Sequence, residues 1–189
     1  MRMNPLTEKK SICVFCASSD AVDPDFFKVA EEVGAWIAKK KFTLVYGGGK
    51  VGLMGKVAEA THKNKGKVLG VIPRFMKKKE IAYEAADELI WTDDMRDRKT
   101  IMEENSDAFI TLPGGFGTLE EVLEMLTLKQ LHCHNKPIVF LNTNGFYDTL
   151  FDFFEQFYKK KFARHKHRKN YFIADTPQKA FKHIERILG

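Results

Sequence analysis

The chain has 189 residues, 44% of them hydrophobic and 30% charged, a balance that fits one compact domain with its own core. The first ten residues are short and polar and no apolar run approaches spanning length, so no secretory leader and no membrane segment is expected, and the expected location is the cytoplasm. The net charge of +6 invites a nucleic-acid reading, but residues 159–169 (KKKFARHKHRK) hold seven Lys/Arg and no acid, and without them 24 of the 31 basic residues stand against 25 acids. The excess is one local segment, read over 159–170 as solvated surface, and nucleic acid is not an expected partner.

Taken in order, residues 11–17 form a β-branched and aromatic run, a first strand that ends in Ser18, Ser19 and Asp20. Phe26, Val29, Ala30, Val33, Trp36 and Ile37 make a helical stripe over 25–40. A second strand over 42–46 runs into Gly47, Gly48, Gly49, Lys50, Val51 and Gly52, followed by a helix to Lys63. A third strand covers 67–72, residues 74–88 read as irregular with an exposed MKKKE segment, and a brief strand covers 89–91. A helix over 93–105 leads to a strand at 108–112, a glycine turn and a helix to about His132. A strand at 137–142 and helices at 146–158 and 177–188 complete the pattern. Strands alternating with helices of this length predict βαβ units: a single α/β domain with a Rossmann-like, doubly wound parallel sheet covered on both faces. Ligands in such sheets bind beyond the carboxyl ends of the strands, where three small or glycine-rich turns are expected to line one crevice.

The stretch DAFITLPGGFGTLEE, Asp107 to Glu121, combines an apolar strand, a glycine elbow and a helix start. Unpaired N–H groups and the helix dipole make that elbow a ready anion site, with Glu120 and Glu121 beside it. Thr118 and Glu121 also match a capping box, which competes with any chemical role for the glutamate. Gly47 to Gly52 satisfies G-x-G-x-x-G, but no acid follows the next strand to hold a ribose, and Val57 after Gly55-Lys56 breaks the P-loop pattern. Two elbows without a second-nucleotide signature suit a mononucleotide or sugar phosphate. Arg98 and Lys99 are placed to hold phosphate or to pair with glutamate.

Other constellations read as structural. Cys13 and Cys16, three apart on a strand, point to opposite faces and cannot share a metal. His132, Cys133 and His134 lack both helical metal spacing and a fourth ligand. There is no Ser-His-Asp order, and no lysine stands out as a Schiff-base site. Neither metal nor cofactor is expected.

Together these motifs resemble the LOG ("lonely guy") family. The resemblance rests on Pro113-Gly114-Gly115-Phe116-Gly117-Thr118-Leu119-Glu120-Glu121, the upstream Met95-Arg96-Asp97-Arg98-Lys99, and Tyr46-Gly47-Gly48-Gly49 with Gly52-Leu53-Met54-Gly55. Gly70-Val71-Ile72-Pro73, His134-Asn135-Lys136-Pro137 and NTNGFYD at 142–148 extend it over residues 11–154. It implies a phosphoribohydrolase that cleaves the N-glycosidic bond of cytokinin riboside 5′-monophosphates, or AMP, releasing free base and ribose 5-phosphate. It also implies a homodimer with the site near the interface. By motif match Arg98 and Glu121 are the catalytic pair. Ser18, Ser19, Gly47, Gly48, Gly49, Gly52, Met54, Met95, Lys99, Pro113, Gly114, Gly115, Gly117, Thr118 and Glu120 are the expected substrate-binding residues. A nucleotide-binding sensor or carrier without turnover is the rival reading. Two departures stand out: Cys16-Ala17-Ser18 where the family often has Cys-Gly-Ser, and the basic 159–169 run.

Overall fold

The computed structural model describes residues 10–79 and 81–189; of the N-terminal stretch 1–10, expected from the sequence to be flexible, all but Lys10 lies outside the described residues, as does the Glu80 end of the MKKKE segment. Seven parallel strands form the sheet: β1 (Ser11–Phe15), β2 (Thr43–Tyr46), β3 (Lys67–Pro73), β4 (Glu88–Thr92), β5 (Ala108–Thr111), β6 (Ile138–Leu141) and β7 (Phe172–Ala174). Their order is β4-β3-β2-β1-β5-β6-β7. The chain winds outward one way from β1 to β4, returns beside β1 with β5, and winds the other way. The connections to either side of the β1–β5 seam therefore diverge, and a crevice opens there.

Among the described residues, six helices cover the sheet: α1 (Pro24–Lys39), α2 (Gly52–Lys63), α3 (Met95–Glu104), α4 (Phe116–Gln130), α5 (Asp148–Lys159) and α6 (Pro177–Leu188). α1, α2 and α6 bury Val33, Ile37, Val57 and Phe181 on one face. α3, α4 and α5 bury Met102, Val122, Met125 and Phe154 on the other. β1, β2, β5 and β6 are buried at every position, which is why they read as unbroken apolar runs rather than alternating ones. Cys13 and Cys16 fall in opposite cores, as their spacing required.

The departures from the sequence reading are local. β7 had no expectation at all, because its three residues FIA at the sheet edge are too few to show a period. Residues 74–79 coil into a 3₁₀ turn where irregular chain was expected. The main correction is at α4, which starts at Phe116 with Gly115 as its N-cap and no side chain capping it. Thr118 therefore sits inside the first turn, and the capping box does not form. The paired glycines let the backbone enter the helix three residues earlier than the Thr-x-x-Glu signal suggested, with Gly115 rather than Thr118 as N-cap.

Candidate active site

A cleft of about 540 Å³ opens over the carboxyl ends of β1, β2, β3 and β5. Three backbone bonds lace its turns together. Ala17 N–H donates to the Pro113 carbonyl at 3.3 Å, Met54 N–H to Ala17 at 3.3 Å, and Leu112 N–H to Phe15 at 2.9 Å. Gly52 lets two turns meet: its φ is +61°, and a Cβ there would run into the Ser18–Ser19 backbone. Its N–H donates to the Asp20 carboxylate at 2.8 Å, which seats the start of α2 against the turn after β1.

At the base of the cleft, Arg98 of α3 donates from Nη1 to Glu121 Oε1 of α4 at 2.6 Å. Its Nε donates to the Val71 carbonyl of β3 at 3.1 Å. Both side chains are buried, at 9% and 11% exposure. Gly47 is the reason the guanidinium fits, since a Cβ there would overlap Arg98 Nη2. The arginine thus ties the first elbow, β3 and α4 together. Burial pushes the Glu121 carboxyl above its ordinary range, and the Arg98 charge offsets that only in part. α3 is set for this by Asp94, whose carboxylate accepts from Arg96 N–H at 2.7 Å and Asp97 N–H at 2.9 Å.

The second elbow faces the cleft with backbone rather than side chain. Gly115 and Gly117 both have open space where a Cβ would stand. Thr118 is buried, and its side chain packs on Gly114. Behind the elbow, the Tyr147 hydroxyl donates to the Leu112 carbonyl at 2.7 Å and is also hydrogen-bonded to the Gly114 backbone. A fully buried ring thereby pins both sides of Pro113.

Of the expected site residues, Ser18, Ser19, Gly47, Gly49, Met54, Met95, Arg98, Gly115, Gly117, Thr118 and Glu121 line the cleft. Gly48, Gly52, Pro113 and Gly114 shape it from behind. Lys99 and Glu120 stand outside: the Lys99 ammonium bonds Glu120 and, at 2.6 Å, Glu124. Those two carboxylates raise its pKa. His134 spends both ring nitrogens on backbone, meeting the Met125 carbonyl at 3.1 Å and Lys136 N–H at 3.2 Å.

Sequence reasoning missed the apolar wall formed by Ile72, Phe75, Met76 and Ile81, and Phe116 at the mouth. Ile72 was accessible, being the last apolar residue of a parallel strand. Ile81 was not: it reaches the cleft because its carbonyl accepts from Lys50 N–H at 2.8 Å while Tyr83 N–H donates to Gly48 at 2.9 Å, a strap over the first elbow.

Residues 54–184 match the family model described as possible lysine decarboxylase. The probable cytokinin riboside 5′-monophosphate phosphoribohydrolase LOG6 of Arabidopsis thaliana is 42% identical over 95% of this chain and 89% of its own length. The cytokinin riboside 5′-monophosphate phosphoribohydrolase LOG7 of the same plant is 46% identical over 78% of this chain and 68% of its own. Among solved structures, the molybdenum cofactor binding protein of Rippkaea orientalis superposes with a TM-score of 0.73 at 26% identity, covering 96% of this chain and 99% of that one.

Proposed function

This chain belongs to the family of cytokinin riboside 5′-monophosphate phosphoribohydrolases, and from that premise we propose that it hydrolyses the N-glycosidic bond of purine riboside 5′-monophosphates, with N6-modified nucleotides or AMP as substrate. The observation that carries the reading is the buried Arg98–Glu121 pair at the base of a cleft flanked by two glycine elbows.

The 5′-phosphate docks on the uncapped start of α4, where the N–H groups of the first turn and the helix dipole meet it without obstruction from Gly115 or Gly117. Ser18 and Ser19 face it from the turn after β1, and Met54 and Met95 pack on the rest of the nucleotide. Lys99 and Glu120 contribute at the rim, where the ammonium can exchange a carboxylate partner for phosphate. Glu121, held through Oε1 by Arg98, faces the sugar with its remaining oxygen. As the C1′–N9 bond breaks, its electron pair goes to the base and positive charge develops on the ribose ring, which the carboxylate stabilises. Glu121 also orients the water that adds to C1′ and accepts its proton, while the departing base takes up a proton at nitrogen. Base-assisted attack of this kind contributes about 10²–10⁴-fold. The lysine decarboxylase description of the family finds no support in the cleft, since none of its described lining residues is a lysine able to form a Schiff base.

The protein is further inferred to act in the cytoplasm as a homodimer that covers the 93%-exposed Phe116 at the cleft mouth, with the whole chain as one hydrolase domain. Light scattering gives the mass that checks the dimer. Among the described residues, no helix is long and apolar enough to cross a membrane.

The test of function is incubation with AMP and with isopentenyladenosine monophosphate, followed by chromatography for free base. Base release is expected, and no release from any nucleoside monophosphate at enzyme concentrations near those of substrate would overturn the reading. The likeness to a cofactor-binding protein favours one alternative, a carrier using the same cleft. Calorimetric binding of AMP with no product would favour that carrier.

A further inference from the structure

The basic run lies where the hydrolase reading does not use it. α5 follows β6 and runs back along the sheet, so its C-terminal end and the turn beyond stand at the opposite pole from the cleft, about 18 Å of helix away. There Phe153, Gln156, Phe157, Lys160 and Phe162 line a groove of about 300 Å³. Phe162 is 83% exposed and Phe153 52%, large values for aromatic rings. Phe153 and Phe157 meet edge to face with centroids 4.7 Å apart.

Charge is sorted around this groove. Residues 153, 156, 157 and 160 share one face of α5, while its acids Asp148, Asp152 and Glu155 fall on the neighbouring face. Glu155 is taken by Arg168. Among the described residues, Lys159, Lys160, Lys161, Arg164, Lys166 and Lys169 are exposed and form no ion pair with a carboxylate. Their backbone is nevertheless ordered. Arg168 lies over the Tyr158 ring at 4.9 Å, Ala163 N–H donates to the Phe157 carbonyl at 3.2 Å, and His167 N–H to Arg164 at 2.9 Å. Solvation alone accounts for a charge run, but it does not account for open phenylalanine rings set in a fixed array of unpaired cations.

We propose that this groove docks single-stranded nucleic acid, with bases stacking on Phe162 and Phe153 while the surrounding lysines and arginines follow the phosphates. An anionic bilayer is the less suitable partner, because membrane insertion uses apolar rings on a projecting surface and these line a concave one.

The test is fluorescence anisotropy of a labelled oligo(U) of about a dozen nucleotides with the full chain, between about 50 mM and about 200 mM salt. Saturable binding is expected, with a log–log salt slope of about −2 if three phosphates are neutralised. The double change Lys160→Glu/Lys166→Glu should weaken binding at least about tenfold and flatten the slope, at unchanged melting temperature and unchanged nucleotide hydrolysis. Phe162→Ala should weaken it about fivefold or more while leaving the slope intact. Absent oligonucleotide binding, equal binding by wild type and the double variant, or capture by phosphatidylserine vesicles without oligonucleotide binding would each overturn the proposal.

Discussion

Two sets of ion pairs sit one residue apart on the same two helices, and they differ in the exposure of their carboxylates. Arg98 meets Glu121 with both side chains about nine-tenths buried. Lys99 meets Glu120 and Glu124, whose side chains are 52% and 39% exposed. One residue is about 100° of helix rotation, enough to turn the first pair toward the sheet and cleft and the second toward solvent. Water screens the outer charges and lets them exchange partners. The inner carboxylate has lost most of its water, so it depends on one guanidinium and its proton affinity rises. The comparison teaches that opposite charges at the right spacing do not make a reactive pair; burial on one side and a cleft on the other do.

The sharpest way to break this contrast is Glu121→Gln, which keeps shape and burial but removes the charge. Turnover should fall by about 10²–10⁴-fold, measured as base release, with nucleotide affinity largely kept. Near-normal rates would end the catalytic assignment. Glu121→Ala is the less clean variant: an unpartnered arginine in the interior costs about 3–5 kcal/mol, to be read from denaturant unfolding.

Gly47→Ala tests the inner pair without touching either charge. The new Cβ displaces the guanidinium, and a shift of about 1 Å in a catalytic group can cost about 10²-fold in rate. An unchanged kcat would show that the Arg98 position is not critical.

The pH dependence separates the two pairs further. Because the Glu121 pKa is raised, the ionised form is lost on acidification sooner than in an ordinary glutamate, and the acid limb of kcat/KM should lie above about 4.3. Stability runs the other way: the raised pKa favours the fold fully below the unfolded value, and this contribution disappears as pH rises through the folded value. Melting temperature should therefore lose less between acid and neutral pH in Glu121→Gln than in wild type.

Tyr147→Phe removes the hydroxyl that pins the second elbow and leaves the Leu112 carbonyl without its donor. A loosened phosphate cradle should appear mainly as a KM increase of several-fold, from about 1 kcal/mol of lost hydrogen bonding, with kcat less affected. Equal falls in kcat and kcat/KM would place Tyr147 elsewhere in the mechanism. The smallest stability effect is expected for Lys99→Met, about 1 kcal/mol or less by denaturant unfolding, since its partners remain hydrated without it.

Much of the frame was legible from residue order. Short runs rich in β-branched and aromatic residues, such as SICVF and AFIT, fit strands buried on both faces, and the longer stripes between them fit helices, so their alternation points to a parallel sheet. The glycine elbows and the Arg98, Lys99, Glu120 and Glu121 set were visible for the same reason, being local patterns of turn chemistry and charge. β7 escaped because three residues are too few to carry a period, and the capping box misled because Thr-x-x-Glu does not record where a glycine lets a helix begin.

By itself, then, the sequence determined the elements, the two elbows and the four charged residues near them. Only the tertiary structure decided which charges face each other. Periodicity fixes the angle between neighbours on one helix, but the pairing of Arg98 with Glu121, and not with Glu120, depends on how α3 and α4 are rotated against the sheet. That rotation is a packing result, set by Met102 and Val122 in the shared core and by the space Gly47 leaves open. The same holds at the far pole, where a run that reads as plain solvated charge becomes a basic rim around exposed rings once α5 presents Phe153 beside Phe162.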